Sequence, residues 1–168
     1  HILNSAGIER FPEYQLDMVR LGIGHYGISA LPDVHLQQVC ALKTIILQLK
    51  KVKSGETVGY SRNGKVETDK LIATLPIGYA DGYPRNLSNI SSVLIKGCRY
   101  PVVGRICMDQ LMVDIGRASS VSFGDIVTLR GVDGTEEITL DEVAGLVGTI
   151  AHEILTGITA RVPRVYLK

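Results

Sequence analysis

Short runs of apolar residues, separated by turns that contain glycine, asparagine or aspartate, dominate the chain from Leu36 onward. Short apolar runs between such turn residues are typical of β-strands. We therefore predict strands over Val39 to Val52, Leu71 to Ile77, Ser92 to Ile95, Tyr100 to Val103, Leu111 to Ile115 and Asp125 to Leu129. Many short strands at this spacing indicate a barrel or a closed sheet. The expected fold class is mostly β.

The two ends of the chain show other patterns. Near the C-terminus, Thr139 to Val147 and Ile150 to Leu155 predict two short helices, the first with Thr139 as its N-cap and acids in its first turn. The final segment, Arg161 to Tyr166, predicts an edge strand that contains a proline. Before Pro32, Phe11 to Leu16 predicts a short helix, and Met18 to Gly24 predicts a strand that leads into a glycine-rich bend.

Length and composition exclude several classes of protein. The 168 residues fit one domain, or one domain and part of a neighbour, and because the net charge is +1 the chain is not expected to bind nucleic acid. No apolar run reaches the roughly 20 residues of a membrane span. Three cysteines without a Cys-x-x-Cys spacing favour a reduced, cytoplasmic protein, and the histidines show no metal-ligand spacing. The absence of an initiating methionine suggests a piece of a longer protein.

Two polar clusters flanked by glycines follow apolar runs in the middle of the chain. The first extends from Ile77 to Arg85 and the second from Val103 to Gln110. A structural turn requires glycine, aspartate or proline, but it does not require the two tyrosines, two arginines and Met-Asp pair found here. Elaborate turns are the simpler interpretation of one such cluster. Two together favour a binding or catalytic surface presented by strand ends.

Tyr60 and Arg20 are further candidates. A tyrosine can act as a general acid or base, although its ordinary pKa is too high for a good base without a positive charge nearby. Arg20 lies two residues before a glycine, so the backbone N–H groups of Gly22 and Ile23, with the hydroxyl of Ser5, could hold a phosphate. Taken alone, a tyrosine such as Tyr60 is more often a packing residue. Taken alone, a segment such as Arg20 to Ile23 is more often a bend with a salt-bridged arginine.

Six motifs occur together, and in combination they are far more specific than any one of them. They are His1-x-x-Asn4-Ser5-Ala6, Val19-Arg20-x-Gly22-Ile23-x-x-Tyr26-Gly27, Val58-Gly59-Tyr60, Leu75-Pro76-Ile77-Gly78-Tyr79-Ala80-Asp81-Gly82, Val103-Gly104-Arg105-Ile106-Cys107-Met108-Asp109-Gln110 and Arg161-Val162-Pro163-Arg164. In this order they resemble the C-terminal half of the fold-type III, pyridoxal-phosphate-dependent alanine racemases. The resemblance covers nearly the whole chain.

The resemblance implies a fold and an assembly. Residues 1–35 would be the terminal segment of a cofactor-binding β/α (TIM) barrel domain, and residues 36–168 a C-terminal β-barrel domain with two short helices. The parent would be a cytoplasmic bacterial homodimer that interconverts L- and D-alanine for peptidoglycan synthesis. The family's cofactor lysine lies upstream and has no counterpart here, so the chain alone is expected to be inactive.

The resemblance also implies roles for individual residues. Tyr60 would be the catalytic tyrosine that handles the α-proton on the L-face, acting across the dimer, while the upstream lysine handles the D-face. Arg20 would face the pyridine nitrogen of pyridoxal 5'-phosphate, and the phosphate would be held by Ser5, Gly22 and Ile23. The backbone N–H of Met108 would meet the substrate carboxylate, with Asp109 supporting its loop. Tyr79 would line the inner part of the entryway to the active site. Arg85, Arg105 and Ile158 would form the next layer of that entryway.

Two departures keep the substrate open. Ala160 stands where some members of the family have a tyrosine that touches the phosphate, and Gly59 adds room beside the candidate tyrosine. A serine or broad-specificity racemase is therefore an alternative. A non-catalytic dimerisation or interaction module is an alternative of another class, although such a module would not need Tyr60, Arg20 and the Met108-Asp109 pair. Fusion of the parent to a membrane segment or a ligase is left open by the sequence.

Overall fold

The computed structural model describes residues 1–116, 118 and 120–167. The chain forms two compact units, of which the first is His1–Cys40 and the second begins at Ala41. The first unit contains a short helix, α1 (Ser5–Arg10), and 3-10 turns at Pro12–Tyr14 and Ile23–Tyr26. Helix α1, which we did not predict, starts where the side chain of Asn4 accepts a hydrogen bond from the Gly7 N–H at 3.0 Å.

The strand predicted over Met18 to Gly24 is wrong. This segment makes one strand-like hydrogen bond, from Arg20 N to the Leu3 carbonyl at 2.8 Å, and then enters the 3-10 turn at Ile23. A strand requires a ladder of hydrogen bonds with a neighbour, and a single bond does not make one. Of the helix predicted over Phe11 to Leu16, only the 3-10 turn Pro12–Tyr14 forms.

The second unit is built from short strands, as predicted, and these strands pair in antiparallel fashion. One sheet has the order β1 (Leu42–Ile45), β9 (Ile126–Asp133), β6 (Ser92–Ile95), β7 (Cys98–Pro101), with β10 (Glu136–Ile138) beside β9. Another has the order β2 (Gln48–Val52), β5 (Lys70–Leu75), β8 (Leu111–Asp114), and a small hairpin pairs β3 (Thr57–Val58) with β4 (Gly64–Lys65). The strand predicted over Val39 to Val52 is two strands, each in a different sheet.

The two larger sheets join to make a closed barrel. The chain passes from β1 into β2 through Ile46 and Leu47. The backbone N of Ile46 donates to the carbonyl of Asp125, beside β9, and the backbone N of Leu47 donates to the carbonyl of Thr74, in β5. On the other side, β7 continues into Val102, which pairs with Val113 of β8. The apolar side chains that face inward, among them Leu75, Leu94, Leu111 and Leu129, are fully buried. The expectation of a mostly β, barrel-like fold is confirmed.

Two short helices close the second unit, as predicted. Helix α2 (Leu140–Val147) has Thr139 as its N-cap, whose hydroxyl accepts a hydrogen bond from Glu142 N at 3.0 Å. Helix α3 (Ala151–Gly157) packs beside it. The edge strand predicted from Arg161 to Tyr166 is wrong: the segment folds back on itself, and the Arg164 guanidinium donates to the carbonyls of Ile158, Thr159 and Val162. Within the described residues, no helix is long and apolar enough to span a membrane.

Candidate active site

The two polar clusters pack against each other through their backbones. Tyr79 N donates to the Cys107 carbonyl at 3.1 Å, and Ala80 N donates to the Met108 carbonyl at 3.0 Å. A Cβ on Gly78 would lie 2.2 Å from the Cys107 oxygen and 2.4 Å from the Met108 oxygen. Only glycine allows this approach, so Gly78 brings together the segments that carry Tyr79 and Met108.

The backbone hydrogen bonds also orient the Met108 peptide. Because the peptide bond is planar and trans, the Cys107 carbonyl and the Met108 N–H point in opposite directions. The carbonyl points at Tyr79 N, so the Met108 N–H points away from the first cluster. The Met108 residue is 54% exposed. A backbone donor that faces away from the first cluster, on an exposed residue, suits a small anion.

The candidate tyrosine Tyr60 lies at the tip of the β3–β4 hairpin, and this hairpin rests on the second cluster. A Cβ on Gly104 would lie 2.6 Å from the Val58 carbonyl oxygen, and a Cβ on Gly64 would lie 2.9 Å from Gly104 N. Three stretches of backbone therefore meet without an intervening side chain. A Cβ on Gly59 would lie 3.2 Å from Arg105 N. The residue directly before Tyr60 therefore lies against the backbone of the candidate entryway arginine.

The backbone on both sides of Tyr60 is in the left-handed region. Gly59 has φ +78°, Ser61 has φ +57° and Arg62 has φ +53°. This conformation costs a residue with a side chain about 1 kcal/mol. Neighbouring residues in such a conformation persist where the surrounding structure holds them, and they cluster at functional sites. The Tyr60 residue itself is 68% exposed.

The remaining entryway candidates of the second unit surround this core. The Ser88 hydroxyl donates to the Arg85 carbonyl at 2.6 Å and accepts from Ile106 N at 3.0 Å, which joins the end of the first cluster to the second. Burial raises the pKa of the Cys107 thiol, and the nearby Arg85 guanidinium opposes that rise. The Nε of Arg105 is buried and lacks a hydrogen-bond partner among the residues described.

Ile158 and Ala160 flank a residue that fixes the C-terminal segment to the first cluster. This residue is Thr159, which donates from its backbone N to the Asp81 carbonyl at 3.1 Å and from its hydroxyl to the Ala80 carbonyl at 2.9 Å. Ile158 is half-buried and Ala160 is exposed. The second unit thus brings together, through direct contacts or one intermediate residue, the candidates Tyr60, Tyr79, Arg85, Arg105, Met108, Asp109 and Ile158.

The first unit holds the other candidates. The hydroxyl of Ser5, a buried residue, accepts hydrogen bonds from Gly22 N at 2.9 Å and from Gly24 N at 3.1 Å, so it still has its own proton to donate. Ile23 begins a 3-10 turn, and its N–H therefore has no acceptor inside that turn. Arg20 is exposed and is held at one end by a 3.2 Å hydrogen bond from Nη2 to the Ile2 carbonyl.

Sequence reasoning assigned no role to two residues that hold the site together, although one of them, Arg161, belongs to a quoted motif. Asn89 has φ +62°; its side-chain oxygen accepts from Gly104 N at 2.6 Å, and its amide donates to the side chain of Asn63. Arg161 contacts Asp81 and Asp109. An asparagine in an irregular segment is a signal for a left-handed residue. Neither set of partners could be found from sequence, because they lie 15 to 80 residues away.

Comparison with known proteins places this arrangement in a family. The family model for the alanine racemase C-terminal domain matches residues 39–166. The alanine racemase of Carboxydothermus hydrogenoformans is 48% identical over 172 residues, which cover 99% of this chain and 47% of the relative. The chain thus spans about half the length of the curated relatives it matches.

Solved structures agree with the sequence comparison. Alanine racemase from Bacillus anthracis with bound L-Ala-P superposes with a TM-score of 0.92 at 38% identity, over 99% of this chain and 44% of that one. Alanine racemase from Bartonella henselae with covalently bound pyridoxal phosphate superposes with a TM-score of 0.89 at 35% identity, over 98% of this chain and 46% of that one. Because the family model, the fold and the paired glycine-flanked clusters agree, the chain belongs to the alanine racemase C-terminal domain family.

Proposed function

We propose that this chain supplies the C-terminal part of a pyridoxal-phosphate-dependent racemase that interconverts L- and D-alanine for peptidoglycan synthesis. The observation that carries the proposal is the contact between the Tyr79 and Met108 segments at Gly78, in a chain of this family. That contact orients the Met108 backbone N–H away from the first cluster, and the two joined segments carry the exposed residues Tyr79 and Met108. A module that served only to bind another protein would not need this arrangement.

The first unit has donors that suit a phosphate group. The Ser5 hydroxyl has a proton to donate, and the Ile23 N–H is not used by its own turn. Gly22 has no side chain to cover them, since a Cβ there would lie 3.6 Å from the Ser5 hydroxyl oxygen and meet no other atom nearby. We assign Ser5, Gly22 and Ile23 to the phosphate of pyridoxal 5'-phosphate, as part of a barrel domain that includes residues 1–35.

Arg20 is assigned to the pyridine nitrogen of the same cofactor. When bound, pyridoxal phosphate supplies an electron-withdrawing ring that acidifies the α-hydrogen of an attached amino acid. Arginine stays protonated at all working pH values, so Arg20 can donate a hydrogen bond to the ring nitrogen but cannot protonate it. Arg20 would thereby keep the ring nitrogen unprotonated, which would limit the electron withdrawal by the cofactor and would favour return of the proton to the α-carbon over side reactions.

Tyr60 is assigned as the acid and base for the L-face of the substrate. Inversion at a carbon atom requires proton transfer on two opposite faces, and we assign the other face to the family's upstream lysine. The exposure of Tyr60 at a hairpin tip suits a side chain that reaches into another subunit. The proposal therefore includes a head-to-tail homodimer in which each Tyr60 completes the partner's site.

The second cluster is assigned to substrate recognition. The outward-pointing N–H of Met108 is the proposed donor to the substrate carboxylate, and Tyr79 lines the way to it. Arg85, Arg105 and Ile158 form the next layer of the entryway. These residues belong to the β domain, which we assign to residues 36–168.

Exchange of the α-proton tests the chemistry. The full-length protein with its cofactor is incubated with L-alanine, D-alanine or L-serine in heavy water, and loss of the α-proton signal is followed by NMR. Tyr60→Phe is compared with Tyr166→Phe, which removes the hydroxyl of another exposed tyrosine. We expect rapid exchange of both alanine isomers, loss of L-alanine exchange in Tyr60→Phe, and wild-type exchange in Tyr166→Phe.

The other outcomes separate the alternatives. Faster exchange of serine than of alanine would replace alanine with serine as the substrate, for which the small residues Gly59 and Ala160 leave room. Absence of exchange with every substrate, in protein that holds its cofactor, would support a non-catalytic module. Equal loss in both tyrosine variants would contradict the assignment of Tyr60.

Mixing inactive subunits tests the dimer. Protein with Tyr60→Phe is mixed with protein that lacks the upstream lysine, and the two are allowed to exchange subunits. If Tyr60 acts in the partner's site, each hybrid has one intact site, and statistical mixing restores about one quarter of the wild-type rate. No recovery despite hybrids detected by mass spectrometry would mean that Tyr60 acts within its own subunit.

A further inference from the structure

Arg161 contacts both polar clusters at once. Its Nη2 lies 2.6 Å from Oδ1 of Asp109, and its Nε lies 3.5 Å from Oδ1 of Asp81. Asp81 follows Tyr79 in the first cluster, and Asp109 follows Met108 in the second. The arginine thus spans the two segments whose backbones meet at Gly78.

Each partner of Arg161 is tied to the segment that it would hold. The other oxygen of the Asp81 carboxylate accepts from Gly78 N at 2.9 Å, so this carboxylate links Arg161 to the glycine at the contact. Asp109 adjoins Met108, whose carbonyl accepts from Ala80 N. Movement of either carboxylate would therefore be transmitted to the peptides on either side of Met108.

The backbone that carries Arg161 is itself fixed. Thr159, two residues earlier, makes two hydrogen bonds to the first cluster, and Arg164, three residues later, donates to three carbonyls of the same turn. The guanidinium is therefore presented from a rigid turn. Asp109 raises the pKa of Arg161, with a smaller effect from Asp81 in the same direction.

The solvent exposure of the Arg161–Asp109 ion pair indicates whether the pair stabilises the fold or orients the loop. The side chains of Arg161 and Asp109 are 53% and 58% exposed, and ion pairs that are so open to solvent contribute little to folding stability. A guanidinium that contacts two carboxylates from different segments can nevertheless fix geometry, because each contact restricts the group that makes the other. The contact is therefore better suited to orienting the loop than to stabilising the fold.

We propose that Arg161 is a positioning residue for the substrate carboxylate: by clamping Asp81 to Asp109, it holds the Met108 N–H in the orientation that binds substrate. The inference rests on the proposed function, since it concerns the same site, and it gives a role to a motif residue that had none. Arg161 does not touch the reacting atoms.

Steady-state kinetics of the full-length protein test the clamp. Arg161→Met removes both contacts, and Arg161→Lys keeps the charge but loses the fork. Arg99→Met is the matched control, because Arg99 also holds two carboxylates, Glu136 and Glu142, but joins β7 to β10 and α2. In Arg161→Met we expect KM for alanine to rise about three- to tenfold with little change in kcat or thermal stability. Arg161→Lys should be intermediate, and Arg99→Met should keep the wild-type KM.

Salt and a double variant give two further readouts. Because the pair is exposed, salt should raise the KM of the wild type and leave that of Arg161→Met unchanged. Asp109→Asn combined with Arg161→Met should be no worse than the single variants. An unchanged KM in Arg161→Met, or an equal rise in Arg99→Met, would overturn the proposal.

Hydrogen exchange tests the clamp without reference to activity. In the full-length protein, we expect Arg161→Met to speed exchange at the backbone amides of Tyr79 and Ala80, which bond to the second cluster. If the parent does not racemise alanine, the proposed function fails, yet this exchange still reports on the clamp. Unchanged protection of these amides would overturn the clamp whatever the activity.

Discussion

Gly104 lies so close to Val58 that a methyl group on the glycine would be 2.6 Å from the valine carbonyl oxygen. The contact seats the hairpin that carries Tyr60 on the strand end that carries Arg105. The glycine also has φ +77°, so its lack of a side chain is required both by the space and by the backbone conformation.

Gly104→Ala should therefore lower stability and displace Tyr60. We expect a loss of about 3 kcal/mol in the free energy of unfolding, because a backbone clash adds to the strain of the positive φ. Gly55→Ala is the control: Gly55 has φ +85° but nothing within 4 Å of its Cβ position, so only about 1 kcal/mol of strain should be lost. Urea unfolding of the full-length proteins measures both. Equal losses would show that the contact with Val58 does not matter.

Gly78→Ala tests the contact between the two clusters. Gly78 has φ −152°, which any residue adopts, so the effect comes only from the clash with the Cys107 and Met108 carbonyls. We expect a loss of about 3 kcal/mol together with a higher KM for alanine. Gly145→Ala, in helix α2 with nothing within 4 Å, should instead gain about 0.5 to 1 kcal/mol. A stable Gly78→Ala protein with wild-type KM would contradict the site geometry.

Asn89 offers a test of the link between Gly104 and the Tyr60 hairpin. Asn89→Asp keeps an oxygen that can accept from Gly104 N but loses the amide that donates to Asn63, whereas Asn89→Ala loses both. We expect Asn89→Ala to lose about 1 to 2 kcal/mol and Asn89→Asp less, because the buried Gly104 N–H stays satisfied in the latter. Thermal melting of the full-length variants measures this order. Equal losses in the two variants would show that the contact with Asn63, which both of them lack, dominates.

The buried side chain of Tyr83 should lower the free energy of unfolding at alkaline pH. Burial raises its pKa to about 12, while the hydrogen bond to Ser91 acts in the opposite direction. Because the folded protein holds this proton more tightly than the unfolded chain does, stability falls as the pH rises from about 10 to about 12. The loss should be on the order of 2 kcal/mol, and Tyr83→Phe should remove that part of the pH dependence. Urea unfolding between pH 9 and about 12 measures it; identical slopes in the two proteins would contradict the assignment.

The elements that could be predicted are those whose signal is local. The helix after Thr139 was predicted with its N-cap because the capping side chain and the acids of the first turn lie within four residues. Ser92–Ile95 was predicted with its exact bounds because a turn with positive φ at Lys96 and Gly97 ends it.

The errors arise where distant parts of the chain decide the outcome. Ile46 and Leu47 lie inside the predicted strand Val39 to Val52 with no turn residue beside them, and only their partners on two different sheets divide it into β1 and β2. The final segment has the composition of a strand, but the guanidinium of Arg164 donates to the carbonyls of Thr159 and Val162 and so folds the segment back on the turn before it. In the candidate site, residue types pointed to the two clusters, whereas the clamp by Arg161 depends on residues 52 and 80 positions away.

The closure of the barrel protects the second unit against pairing with the sheets of other chains. Open sheets expose rows of unpaired backbone groups that invite pairing with another chain. Here the strand formed by β1 and β2 serves one sheet with its first half and the other with its second, so neither sheet ends at that position. The segments that carry Tyr79 and Met108 lie outside the paired strands β5, β6, β7 and β8. Substitutions in those segments can therefore change the candidate site without opening the edge of a sheet.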